Sequence, residues 1–191
     1  MFLLKHPLVL ASESPRREQI LRMLGFDFSI APSGVDETAP PGLSPDQVPE
    51  ALARAKALHV SRENMDALIL GADTLVVLDD RILGKPSGPE EALEMLRFLS
   101  GRTHKVYTGV ALALGGKAIS SGVACSEVTF ARRSDDDLQT YVRAGEPMDK
   151  AGAYAIQGRG AFLVEGIRGC FFNVMGLPVQ LTLRLLELYR I

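Results

Sequence analysis

The chain has 191 residues, of which 47% are hydrophobic and 23% charged, with a formal net charge of -2. A domain takes ~100–200 residues, so one domain over residues 1–191 is expected, with room for two lobes and a sizeable core. So slight a charge disfavours a protein that grips long nucleic acid through its phosphates, while a few local Lys and Arg suffice for a small anion.

No apolar run reaches the ~18 residues of a membrane span, and the opening from Met1 to Pro7 is too short for a secretory leader. A cytoplasmic protein with no membrane partner is expected. Cys125 and Cys170 stand outside any CxxC or Cys/His cluster, which argues against zinc and for two buried, reduced thiols.

In chain order, Leu8-Val9-Leu10-Ala11 predicts a buried strand. Ser14 then suits an N-cap, with Pro15 as the first helical residue; Ile20, Leu21 and Leu24 form the inner face, and Gly25 ends the helix. Residues 31–49, rich in Pro, Gly, Ser and acids, predict a long loop. A second helix is expected from about Gln47, with Val48, Leu52, Ala55 and His59 inward and Lys56 one step round from that face.

Leu68–Ala72 predicts a buried strand that Asp73-Thr74 interrupt and Leu75–Leu78 resume, with a turn at Asp79-Asp80. Ser87-Gly88-Pro89-Glu90 has the pattern of a capping box ahead of a helix closed by Gly101. The alternation from Val106 to Leu114, the Gly115-Gly116 turn and a return strand to about Phe130 predict a hairpin. A helix capped by Ser134 follows, then short strands near Tyr154–Ile156, Phe162–Val164 and Phe171–Val174. A last helix from Pro178 is expected to bury Leu181, Leu185 and Leu188. The sum is α/β, a mixed twisted sheet flanked by helices.

Several positions invite chemistry. Ser12-Glu13-Ser14-Pro15-Arg16-Arg17 lies between a strand and a helix N-terminus, where unpaired N–H groups and guanidinium forks suit a phosphate; a capped helix with solvated arginines fits the spacing about as well. Asp73 sits inside an apolar stretch, where an unpaired carboxylate would cost several kcal/mol, so a cation, a metal or strong donors should meet it. Asp36-Glu37 in the loop, Lys56, and Lys85 in Gly84-Lys85-Pro86 are each compatible with an ordinary solvated surface. So are Lys150 and Gln157, although the latter's amide is placed to face a ligand. GxxxxGK[ST] and GxGxxG are both absent. His6, His59 and His104 offer no triad or metal spacing.

Taken together these segments resemble one family closely. Leu10–Arg17 resembles the opening motif of the Maf family. Gly71–Thr74, Gly84–Pro86 and Leu99–His104 resemble its middle motifs, and Asp149–Tyr154, Ile156–Gly158 and Gly176–Pro178 its last ones. Each motif is weak alone, but the ordered set spans nearly the whole chain. The resemblance implies an inosine triphosphatase-like α/β fold with two lobes around a cleft. It also implies a hydrolase, a nucleoside triphosphate pyrophosphatase (nucleotide diphosphatase) that releases the NMP and pyrophosphate with Mg²⁺ or Mn²⁺, and a homodimer. The Arg16, Asp73-Thr74 and Tyr154–Gly158 pattern resembles the branch acting on dTTP and UTP, with CTP and modified pyrimidine nucleotides as further candidates; Ala155 stands where some relatives have Gly. The implied role is limiting non-canonical nucleotides. The alternative is a nucleotide-binding regulator of septum formation and cell division with little catalysis.

By motif, the resemblance makes Asp73 the catalytic acidic residue, expected to act as general base. It makes Arg16, Thr74 and Gln157 the positions of substrate choice, and Ser12, Arg17, Lys56, Lys85 and Lys150 phosphate-binding candidates. Asp73 and Glu37 become the metal ligands.

Overall fold

The computed structural model describes residues 3–191. Strand β1 (Leu8–Ala11) leads into helix α1 (Pro15–Met23), and β2 (Phe28–Ile30) precedes the loop to α2 (Val48–Ser61). The eleven-residue β3 (Leu68–Leu78) turns into β4 (Arg81–Leu83), followed by α3 (Pro89–Leu99). The long strands β5 (Thr103–Leu114) and β6 (Lys117–Phe130) are joined at Gly115-Gly116, and α4 (Asp135–Arg143) comes next. Three 3-10 segments, at Glu146–Asp149, Ala151–Ala153 and Gly158–Leu163, lead to β7 (Val164–Arg168), α5 (Phe171–Met175) and α6 (Val179–Leu186).

The strands form one mixed sheet in the order β2-β1-β3-β5-β6-β7, with β4 on β3. β1 runs parallel to β2 and β3, with Leu8 opposite both Phe28 and Leu68, whereas β4 and β7 pair antiparallel to β3 and β6. This is the mixed α/β sheet expected from the hairpins and the strand–helix alternation.

The chain forms two compact units. One comprises the residues up to Asp73 with Thr108–Ala124 and Gly176–Ile191; the other comprises Thr74–Tyr107 and Cys125–Met175. Each has its own core. In the first, small side chains dominate: Ala11, Ala53, Ala57, Ala111 and Ala113 pack with Val9, Val60 and Ile69. That smallness lets α2 lie almost backbone to backbone on the strands. A Cβ added at Gly71 would fall 2.3 Å from the Ala53 carbonyl oxygen, and one at Gly109 would fall 2.2 Å from that of Pro49. The second unit has a conventional core of larger groups, among them Leu83, Leu96, Leu99, Val128, Phe130 and Leu138.

Several expectations need correction. Asp73-Thr74 do not interrupt β3, which runs through them, because pairing with β1 and β4 fixes the backbone on either side. The buried face of α2 carries Leu52, Ala53, Lys56 and Val60, while His59 is exposed, so the inward stripe is rotated by about one residue. Gly88, not Ser87, caps α3; the Ser87 N–H and hydroxyl both donate to Glu91. Residues 154–156 form no strand, Phe171–Met175 is helical, and Leu188 is 78% exposed at the end of the chain. Cys125 is exposed and Cys170 half-buried, and neither forms a disulfide.

His104 lies in the second core, its Nε2 2.9 Å from the Tyr154 hydroxyl and its ring edge-on to Phe130 at 5.0 Å. Burial lowers its pKa to about 4. The unfolded chain, with a pKa near 6.5, therefore binds more protons between those values, so stability is full above pH ~6.5 and falls as pH drops toward 4, by about 3 kcal/mol in all. Urea denaturation at pH 7 and pH 4.5 should show that loss, and His104→Gln should flatten the profile across this window.

Candidate active site

The polar interior of the first unit grows from β1, α1, α2 and β3. β1 ends at Ala11, and Ser12 is the first residue beyond it. Its Oγ accepts the Ser14 N–H at 3.2 Å and Arg17 Nη1 at 2.9 Å. Two donors thus fill the hydroxyl's acceptor positions, and its own proton is left to donate. Ser14 occupies the N-cap position of α1, but its side chain makes no cap bond; the Ser12 hydroxyl orders the turn instead.

Arg17, in the first turn of α1, is buried, which is unusual for an arginine. Its Nε donates to the Gly176 carbonyl at 2.9 Å, so the Gly176-Leu177-Pro178 turn ahead of α6 anchors it. Burial lowers the Arg17 pKa, with Asp73 pulling the other way. Gly176 lies in one of the motifs that carry the family resemblance, but no site role was expected of it. Arg16, next to Arg17 on α1, is half-buried.

Lys56 and Asp73 meet because α2 lies so close to β3. Gly71 and Asp73 share one face of the strand, and the absence of a side chain at Gly71 admits the helix turn from which Lys56 projects. The Lys56 ammonium donates to Asp73 Oδ1 at 2.6 Å and to Glu37 Oε1, from the long loop, also at 2.6 Å. The Lys56 and Asp73 side chains are only 5% and 8% exposed, and that of Glu37 is 48% exposed. Burial pushes the Asp73 carboxyl above its ordinary range, against the pull of Lys56 and Arg17. The first unit therefore brings together five sequence-predicted residues, Ser12, Arg17, Glu37, Lys56 and Asp73.

Apart from Arg16 on α1, the remaining predicted residues belong to the second unit. Thr74 follows Asp73 in β3 and is half-buried. Lys85 is exposed just beyond β4, in a segment tied down by the Gly152 N–H donating to the Gly84 carbonyl at 3.0 Å. Lys150 donates to the Glu146 carbonyl at 2.7 Å and pairs with Asp149. Gln157 is half-buried immediately before the 3-10 segment Gly158–Leu163.

The Asp73 and Glu37 carboxylates are hard oxygen donors held around one ammonium, a donor set that suits Mg²⁺ or Mn²⁺ with water and phosphate completing the coordination. Among the described residues there is no group of three or more His, Cys, Asp and Glu side chains of the kind that forms an all-protein metal cage.

The Maf-like protein family matches residues 7–189. The chain belongs to the Maf family. A protein from Moorella thermoacetica named dTTP/UTP pyrophosphatase is 53% identical over 184 residues, covering 95% of this chain and 94% of its own length. One of the same name from Halalkalibacterium halodurans is 47% identical, with 96% of each chain covered. A solved HAM1 protein from Coxiella burnetii is a looser likeness, 17% identical over 78% of this chain and 86% of its own, with a TM-score of 0.46.

Within this Maf protein the buried ion pair sets a stability prediction. Removing one partner of a buried pair leaves an uncompensated charge, at about 3–5 kcal/mol. Lys56→Met should therefore be strongly destabilised in urea, and Lys56→Met/Asp73→Asn should lose clearly less than the sum of the single variants. Strict additivity would show that the two groups are not coupled.

Proposed function

We propose that this protein is a nucleoside triphosphate pyrophosphatase that hydrolyses dTTP and UTP to the NMP and pyrophosphate. What carries the reading is the convergence of Asp73, Lys56, Arg17 and Ser12 in one buried cluster, in a chain whose relatives bear that enzyme's name.

Asp73 acts as the general base. Its raised proton affinity suits it to take a proton from the water that attacks the α-phosphorus, since a base works best with a pKa drawn toward the operating pH. The new bond joins the water oxygen to the α-phosphorus, and the bond from that phosphorus to the bridging oxygen of the leaving pyrophosphate breaks. Phosphoryl transfer is catalysed mostly by positioning and charge neutralisation. Arg17 supplies a guanidinium already locked in place, and Ser12 a hydroxyl proton, to the phosphate oxygens. Lys56 turns from its carboxylates toward the same anion; Lys85 and Lys150 are phosphate-binding candidates by family motif. Asp73 and Glu37 are the residues that would hold Mg²⁺ or Mn²⁺. Bound there, the ion would supply Lewis-acid neutralisation of the phosphate oxygens.

Arg16, Thr74 and Gln157 set substrate choice. A Gln amide offers one donor and one acceptor, matching the O4 and N3–H of uracil and thymine. The protein works in the cytoplasm on the free nucleotide pool, as a homodimer, and limits non-canonical nucleotides.

A panel of NTPs with Mg²⁺, with products resolved as NMP, pyrophosphate and orthophosphate, tests the reading. Release of NMP with pyrophosphate, greatest for dTTP and UTP, is expected, and Asp73→Asn should reduce turnover by at least ~10³-fold while keeping a folded spectrum. No NMP from any triphosphate would leave a nucleotide-binding regulator of division as the better account. Gln157→Ala should alter the order of preference among bases more than the maximal rate; an unaltered order removes that residue from base reading.

A further inference from the structure

We infer that Glu146 is a positioning residue that holds the Gln157 segment in the shape needed to read a base, an inference that rests on the role proposed for Gln157. Glu146 follows Gly145 at the end of α4 and belongs to none of the motifs that carry the family resemblance. Its carboxylate accepts two backbone donors from the segment after Gln157, the Arg159 N–H on Oε1 at 3.1 Å and the Gly160 N–H on Oε2 at 2.8 Å. The Tyr141 hydroxyl hydrogen-bonds the same carboxylate, and itself accepts the Ala155 N–H at 3.1 Å. Gln157 is thus fastened on both sides, at Ala155 and at Arg159-Gly160, to one Glu–Tyr pair.

The glycines of the segment fit these polar groups closely. Gly158 has φ +81°, and a Cβ there would come 2.5 Å from Glu146 Oε1; a Cβ at Gly160 would come 2.5 Å from the Tyr141 hydroxyl and 2.3 Å from the Ala155 carbonyl. Burial alone would raise the Glu146 pKa, but the Tyr141, Gly160 and Arg159 hydrogen bonds outweigh it and hold the carboxyl below its ordinary range. The backbone carbonyl of Glu146 also accepts Lys150 Nζ at 2.7 Å, so one residue steadies two of the positions proposed for substrate contact. A carboxylate collecting several N–H and O–H donors is among the stronger neutral-pH anchors for a loop, because each bond is charge-assisted. Glu146 touches no substrate in this account; it acts through Gln157.

The test compares Glu146→Ala and Glu146→Gln, each alone and combined with Gln157→Ala, on the same NTP panel, together with tryptic cleavage after Arg159. Loss of the charged acceptor should raise KM for dTTP about tenfold in Glu146→Ala, with kcat changed less, a narrower spread of kcat/KM among bases and faster nicking at Arg159. Glu146→Gln, which keeps one carbonyl acceptor, should fall between. In the Gln157→Ala background the Glu146 substitution should narrow base discrimination no further. Full discrimination in Glu146→Ala, where Gln157→Ala has lost it, overturns the Glu146 inference and leaves the pyrophosphatase reading intact. Equal narrowing in both backgrounds marks a general structural role and also overturns it. A Gln157→Ala enzyme with unaltered preference removes the base-reading role and the Glu146 inference with it. If Glu146→Ala does not fold, Tyr141→Phe and Glu146→Gln carry the comparison.

Discussion

The interior of the first unit depends on one ammonium held between two carboxylates. Moving Lys56 and Asp73 out of water removes the hydration of both, and only short, well-directed contacts offset that loss. Both contacts here are 2.6 Å. Even so, burial wins at Asp73, whose carboxyl stays above its ordinary proton affinity despite two nearby cations. Apolar side chains of similar volume would be at least as stable in such a place. The cluster is better understood as held charge than as a source of stability, and a polyphosphate with its cation can exchange partners with held charge.

That arrangement follows from small residues. An α-helix with Leu or Ile at positions 53 and 57 would stand off from the sheet, and a Lys at position 56 would reach solvent. Ala53, Ala57 and Gly71 bring the α2 backbone onto β3, and the lysine stem then has no route except along the strand to Asp73. The same logic applies to Arg17. Buried in the first turn of α1, its guanidinium donates to the Ser12 hydroxyl and the Gly176 carbonyl. Those two bonds fix the direction of a guanidinium whose charge Asp73 and Glu37 favour.

Legibility in the sequence was uneven for physical reasons. β1, α1, the β5–β6 hairpin and α4 were readable because alternation, caps and the Gly-Gly turn are local signals. Asp73 was readable as an anomaly, a carboxylate in an apolar run, but that anomaly also led to the mistaken break in β3; a polar side chain facing a counter-ion leaves the backbone free to continue its ladder. Lys56 was misplaced by one helical position, since an ion pair buries a lysine that hydropathy assigns to the surface. The stretch from Tyr154 to Met175 was read worst. Ahead of β7, the Ala155, Arg159 and Gly160 N–H groups go to Tyr141 and Glu146, so the short apolar run at Tyr154–Ile156 forms no strand.

The two units handle interior polarity differently, and the difference bears on the proposed chemistry. In the first, Lys56 meets the Asp73 and Glu37 carboxylates, partners that a bound phosphate or metal ion can replace one for one. In the second, the Glu146 carboxylate is satisfied by backbone N–H groups and a tyrosine. Those groups are fixed by the fold and cannot be exchanged without deforming the segment. Cleaving an anhydride needs charges that rearrange around a changing phosphorus, whereas telling one base from another needs hydrogen-bond groups that stay still. Placing the phosphate chemistry at Asp73 and Lys56, and the base contact at Gln157, assigns each task to the kind of polar structure able to perform it.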